Sequence, residues 1–329
     1  MSELKHKFSL GRHSKTAKRS VVLMILGLVV LYGVMPNLHS LFGLNLYLKF
    51  PKRWEFLLFA VLSYYLTYIF SSISYRLLAI RKLNLARLAL VQLASSTLNL
   101  LLPAGIGNIS INYLYLRTHQ LAKTTAGLVI GINNGLGVVG NVSLLALWLS
   151  LYGVNNSLIH IVDKHYKTLI IIGTLAVLVI VILVLFLSSA VTIAKNLRRN
   201  IAAVLVRYTE YKRWHRLVGA YLCAIGQASV TALAFWFALK AFNINLAYPL
   251  VYLIYSLSAL VGGFFPTPGG LGGVEASLAA GVIAVHGADT SIALSAVLGY
   301  RFVTYWLPAL TGSIALFIVQ KTKMIEWNS

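Results

Sequence analysis

The stretch that most restricts this chain is Gly262-Gly263-Phe264-Phe265-Pro266-Thr267-Pro268-Gly269-Gly270-Leu271-Gly272-Gly273-Val274-Glu275. It lies among long apolar runs, yet it holds six glycines, two prolines and a carboxylate. Pro266 and Pro268 each remove a backbone donor and push the preceding residue out of the helical region. The glycines permit sharp turns and close backbone approach. A transmembrane helix cannot run through such a segment. Irregular backbone at membrane depth is tolerated only where it is buried in protein or lines a wet cavity. The stretch therefore marks a site rather than lipid-facing scaffold.

The surrounding sequence is that of a polytopic membrane protein: 59% of its 329 residues are hydrophobic and 11% are charged. A formal charge of +21, from 28 basic and 7 acidic residues, would point to nucleic acid in a soluble protein. Here the bases lie between apolar runs, where membrane topology and anionic lipid account for them, and no nucleic-acid partner is expected. The single cysteine, Cys223, sits inside an apolar run, so no internal disulfide can form.

Taken in order, a basic tail (1–20) precedes a short apolar run, Val21 to Met35, read as an anchor helix. Trp54 to Ile80 is the second span. One side of it carries Ser63, Tyr64, Tyr68, Ser71, Ser72 and Tyr75, either as hydrogen-bonding groups between helices or as the wall of a cavity. Leu88 to Leu102 is too short to span comfortably. It breaks at Pro103-Ala104-Gly105-Ile106-Gly107-Asn108 and resumes as Ile109 to Leu116, the pattern of a re-entrant hairpin. Leu250 to Val261, the break at 262–273 and Val274 to Val285 repeat that pattern. Two interrupted segments in corresponding halves point to a transporter built from repeats.

Between the hairpins lie three further spans. Ala126 to Leu151 carries Gly127, Gly131 and Gly135 at four-residue spacing, a close-packing face for another helix. Leu169 to Leu187 carries no charge, and Leu217 to Leu239 follows a loop rich in lysine and arginine. Ile292 to Val319, with Arg301 and Pro308 inside it, closes a domain of about 21–320, and 321–329 forms a short tail. Six spans plus two hairpins (about 88–118 and 248–286) leave both termini cytoplasmic, with the hairpins entering from opposite faces, as an inverted repeat requires.

Two charges fall well inside the second half, Glu275 and Arg301. Each would cost about 2.5–3.5 kcal/mol at the centre of a span, so mutual pairing is the economical arrangement. Arg301 lies well inside its helix, close to mid-depth. The pair is either a structural tie between the hairpin and the last helix, or a working site that gates, protonates or meets a head group. The helix opening after the glycines directs backbone N–H groups at what precedes it, and a lipid phosphate is the obvious ligand there. No Lys-Ser/Thr follows the glycines and no strand precedes them, so neither a Walker loop nor a dinucleotide fold fits. His160, His165 and His286 sit near span ends and read as interfacial or solvated. No cofactor or metal is called for.

The run Pro266 to Glu275, followed by Gly299-Tyr300-Arg301-Phe302-Val303-Thr304-Tyr305-Trp306-Leu307-Pro308, resembles the lysylphosphatidylglycerol synthase transmembrane-region family. That family has a proline- and glycine-rich turn ending in glutamate, then a helix reading Tyr-Arg…Tyr-x-x-Pro. The stretch Leu98 to Gly107 resembles its earlier hairpin, but Ile109-Ser110-Ile111-Asn112 stands where many relatives carry an arginine. Arg117 is the nearest substitute. The resemblance implies a flippase-like membrane protein, with Glu275, Arg301 and Tyr305 at motif positions. In full-length members a synthase domain that aminoacylates phosphatidylglycerol follows. Here the sequence reaches Ser329 without one, so the chain is not expected to be an enzyme.

The expectation is thus an all-α polytopic protein of the inner, cytoplasmic membrane, moving a phospholipid or lipid-linked anionic head group between leaflets. Its site residues are Glu275, Arg301, Gly269, Gly270, Gly272, Gly273, Pro266, Pro268, Tyr305, Pro103, Gly105, Gly107 and Asn108. The alternative is a non-transporting membrane subunit that supports a separately encoded lipid- or envelope-modifying enzyme.

Overall fold

A computed structural model describes residues 48–79, 81, 83–102, 105–152, 214–264, 267–322 and 324–325. The expected helices Val21–Met35 and Leu169–Leu187, both tails apart from residues 321, 322, 324 and 325, and most of the basic loop before Trp214 lie outside the described residues. Every regular element among the described residues is helical: α1 (Glu55–Leu78), α2 (Leu85–Leu101), α3 (Ile106–Thr118), α4 (Lys123–Tyr152), α5 (Trp214–Ala241), α6 (Tyr248–Phe264), α7 (Gly273–His286) and α8 (Thr290–Lys321). Of these, α1, α4, α5 and α8 are long and apolar enough to cross a membrane, while α6 and α7 are shorter apolar helices.

The central seam joins α1 to α5, antiparallel. Leu77 faces Gly219 and the Phe70 ring faces Gly226, seven residues further along α5, because only a missing Cβ lets those side chains lie against the α5 backbone. Phe56, Phe59 and Phe237 close the other end of the seam, with ring centroids 5.6–6.2 Å apart. There the carbonyl of Ala241 accepts from the N–H groups of Lys52 and Arg53, tying the end of α5 to the start of α1.

Two apolar cores mark the two ends of this seam. One collects the first half of α1, the second half of α5, both arms of the α6–α7 pair and the first part of α8, around Phe235, Leu239, Ile254, Leu278, Val297 and Val303. The other collects the second half of α1, α2, α3, the starts of α4 and α5 and the end of α8, around Tyr75, Leu78, Leu88, Ile111, Tyr115 and Val319. Two helical hairpins, α2–α3 and α6–α7, therefore lie toward opposite ends of α1. The turn Pro268–Gly270 of the second packs against α2 of the first, so the interrupted backbone of the two halves meets inside the bundle.

Both breaks are tighter than the sequence suggests. In the first, α3 already begins at Ile106, so Gly107 and Asn108 are helical rather than part of the loop. In the second, α6 runs through Gly262 and Gly263 to Phe264. Glycine weakens a helix by about 0.5–1 kcal/mol without forbidding it, and packing makes up that amount.

The glycine face expected on α4 also resolves differently. A Cβ at Gly127, Gly131 or Gly135 would meet no described neighbour. The close approaches occur instead at Gly140, against Ala224 and Ile225 of α5, and at Gly312 of α8, against the Leu93 carbonyl and the Ser96 and Thr97 hydroxyls of α2. Replacing Gly312 with alanine should lower stability by about 1–3 kcal/mol, the usual cost of overpacking. An unchanged unfolding midpoint in detergent would contradict the α2–α8 contact.

Candidate functional site

The second break is shaped by glycines in left-handed conformation: φ is +65° at Gly269, +66° at Gly270 and +87° at Gly272. Glycine adopts such angles without the Cβ clash that disfavours them for other residues. Thr267 pins the turn twice, its carbonyl accepting from the Gly270 N–H at 3.0 Å and its hydroxyl donating to the Leu271 carbonyl at 3.0 Å. Then α7 starts. Glu275, in its first turn, reaches back so that the Gly272 N–H donates to Oε2 at 2.7 Å. A carboxylate in this position satisfies an orphan helix-terminal donor and opposes the positive end of the helix dipole.

The other oxygen of Glu275 meets Arg301. The guanidinium Nε donates to Oε1 at 2.5 Å, and Nη2 donates to the Gly269 carbonyl at 2.7 Å. The two side chains are 11% (Arg301) and 14% (Glu275) exposed. Arg301 therefore reads both ends of the glycine turn, the carbonyl at its start and the carboxylate just beyond its close. Tyr305, four residues on and hence on the same helix face, stacks its ring 5.0 Å from the guanidinium carbon. That ring also occupies the space a Cβ on Gly269 would need. Gly269 is thus required both for its φ and for its missing side chain.

The last helix adapts to hold Arg301 there. Immediately after it, Phe302–Trp306 forms a π turn, in which the Leu307 N–H reaches back five residues to the Phe302 carbonyl. Pro308 lacks an N–H for the Thr304 carbonyl and would crowd it in a regular helix, and a wider turn relieves that conflict. Hydroxyls from α2 brace the same region: Ser96 donates to the Pro308 carbonyl at 2.7 Å and Thr97 to the Ala309 carbonyl at 2.8 Å. Tyr65 of α1 and Thr311 share a 2.7 Å hydrogen bond.

The first break is neutral. Gly105, at φ +71°, opens α3, and Gly107 lies where any Cβ would strike the Leu98–Asn99 backbone. Across the hairpin, the Asn108 N–H donates to Asn99 Oδ1 at 2.9 Å. A chain of buried amides continues from there: Asn112 Nδ2 donates to Asn108 Oδ1 at 2.5 Å, Gln92 Nε2 to Asn112 Oδ1 at 2.6 Å, and Ser71 of α1 to Gln92 Oε1 at 3.0 Å. Arg117 does not serve this site. Its Nη1 donates to the Leu121 carbonyl at 2.7 Å, closing the α3–α4 turn at the far end of α3.

Of the expected site residues, then, Glu275, Arg301, Gly269, Gly272 and Tyr305 converge directly, while Gly270 and Gly273 shape the turn around them. Pro268 begins its short 3₁₀ segment. Gly105, Gly107 and Asn108 form the separate first break, and Pro103 and Pro266 lie outside the described residues. The amide chain through Gln92, Asn99 and Asn112 was not singled out from sequence. The four-residue spacing of Asn108 and Asn112 is the signal that could have shown it.

This arrangement has a family. The model for the lysylphosphatidylglycerol synthase TM region matches residues 20–312. The chain belongs to that family. The match takes in both hairpins, the Glu275–Arg301 pair and Pro308, so this is an integral membrane protein of flippase-like kind. No curated protein matches the chain.

Breaking a buried pair by removing one partner costs about 3–5 kcal/mol, because the survivor is left uncompensated. Glu275→Ala should therefore unfold well below the wild type in detergent, and adding Arg301→Ala should recover part of the loss. Strict additivity of the two substitutions would show that the pair contributes nothing. Gly269→Ala should also be destabilising, and less than additive with Tyr305→Ala, which clears the ring from the new methyl group.

Proposed function

We propose that this protein moves a phospholipid, or a lipid-linked anionic head group, between the leaflets of the cytoplasmic membrane. One observation carries this reading: the Glu275–Arg301 pair joins an interrupted helix to the interior of the 32-residue α8, far from either of its ends. Ionisable groups at such depth are expensive and cluster on pathways. Irregular backbone beside them belongs where protein or a wet cavity, not lipid, surrounds it.

The proposed topology follows the charges. Arg76, Arg81, Arg87, Arg117, Lys123, Arg216 and Lys321 gather toward the end of the bundle where α2 starts and α3 ends, which makes that end cytoplasmic by the positive-inside rule. The first hairpin is then re-entrant from the inside and the second from the outside. With α4 and α5 both starting at the cytoplasmic end, the scheme takes the uncharged run Leu169–Leu187, expected from sequence as a span, as the crossing between them. With Val21–Met35 as the first crossing, both termini are cytoplasmic. In this scheme the protein is a transporter rather than an enzyme. It needs no cofactor, and movement is passive, ion-coupled or powered by a partner.

Leaflet exchange of labelled phospholipids in liposomes holding the purified protein tests the reading. Exchange above empty liposomes should occur and should fall at least about tenfold in Glu275→Gln and in Arg301→Ala variants that still insert stably. Full activity in both variants would remove the pair from the mechanism. No exchange of any lipid, with copurification of a soluble transferase, would instead favour a membrane subunit of a separately encoded lipid- or envelope-modifying enzyme.

A further inference from the structure

The positive-inside rule accounts for the bases at the end of the bundle where α2 starts and α3 ends, and leaves those at the opposite end unexplained. Lys49, Lys52 and Arg53 precede α1, and Lys240 stands in the last turn of α5. On the topology proposed above, this end faces away from the cytoplasm, where such a cluster runs against the usual bias. Lys240 has local reasons for its place. Its ammonium lies 3.8 Å from the centre of the Trp236 ring, and a cation there opposes the negative end of the α5 dipole. The side chains of the other three are exposed and make no ion pair among the described residues.

The backbone holds these three together. The Lys49 N–H donates to Ser295 Oγ of α8 at 2.8 Å, and the N–H groups of Lys52 and Arg53 converge on the Ala241 carbonyl at 2.9 and 3.2 Å. Pro51, between them, fixes its own φ. Three like charges are therefore kept close, with Glu55 the one carboxylate near them in sequence. The two aromatic side chains of the same stretch are also uncovered: Phe50 is 91% exposed and Trp54 64%. Since α1 is long and apolar enough to cross a membrane and starts at Glu55, both rings lie near the level where hydrocarbon gives way to head groups. Lysine and arginine at that level extend toward lipid phosphates, which arginine can hold with two parallel N–H bonds. A soluble anion would neutralise the bases and leave the rings in water. An anionic phospholipid covers both.

We infer that Lys49, Lys52 and Arg53, with Phe50 and Trp54, form a docking site for anionic phospholipid in the leaflet at this end of the bundle. The site uses none of the residues of the Glu275–Arg301 pair. It does not depend on leaflet transfer, since a lipid can be held here without crossing.

The test places the full chain in phosphatidylcholine liposomes with a minor share of one lipid brominated on its acyl chains, phosphatidylglycerol or phosphatidylcholine, and follows quenching of tryptophan fluorescence. The Trp54 signal is the difference between the wild type and Trp54→Phe. Brominated phosphatidylglycerol should quench it with an apparent affinity at least about fivefold above that of brominated phosphatidylcholine. Lys49→Gln, Lys52→Gln and Arg53→Gln together should abolish that preference, while quenching of the remaining tryptophans by brominated phosphatidylcholine stays unchanged and reports an intact fold. Equal quenching of Trp54 by the two lipids in the wild type, quenching by neither, or a preference that survives the triple substitution would overturn the site, whether or not the protein transfers lipid.

Discussion

An arginine twelve residues into a 32-residue apolar helix must find an anion, and the placement of Glu275 answers that demand. The second half of the structure depends on this pairing. It requires α7 to begin where its first turn can present a carboxylate to α8, which in turn requires the chain to leave α6 and reverse within eight residues, 265–272. Glycine supplies the positive φ angles at 269, 270 and 272 that such a reversal uses at no steric cost. Tyr305 stacks on the same guanidinium, and the π turn behind it relieves the conflict that Pro308 creates.

The two hairpins solve one physical problem by different chemistry. Each leaves backbone groups unpaired where its helices are interrupted, and each must satisfy them away from lipid. In the first, Asn99 accepts the Asn108 N–H, and an amide chain carries the hydrogen bonding on to α1. In the second, a carboxylate and a guanidinium do the same work with charge. In the neutral hairpin the two buried amides, Gln92 and Asn112, bond one another, and the half-buried Asn99 and Asn108 close the turn.

Much of this was legible before any coordinates. Membrane class, the two Pro/Gly interruptions and the economy of pairing Glu275 with Arg301 follow from residue types and spacing alone. The hydroxyl side of α1 was readable only as a choice between glue and cavity wall. Ser71 takes the first role, donating to Gln92 at 3.0 Å, and Ser74, outside the residues singled out there, donates to Asn133 at 2.6 Å. The glycines were less legible. Gly127, Gly131 and Gly135 have the regular spacing of a packing face yet meet no described neighbour, whereas Gly219, Gly226 and Gly312, without that spacing, sit where a neighbouring helix approaches closely.

The sequence by itself determined where helices can and cannot run, because proline, glycine and charge act on the chain locally and their cost in a bilayer is large. It also determined that Arg301 needs an anion, since the chain offers so few. What only the tertiary structure decided is which groups stand beside one another: the Gly269 carbonyl under Nη2, the Tyr305 ring over Gly269, the α2 hydroxyls on the α8 carbonyls, and the amide chain across the first hairpin. Those contacts join residues up to 212 positions apart. Their choice rests on how ridges of side chains and gaps left by glycines interlock, which no local pattern encodes.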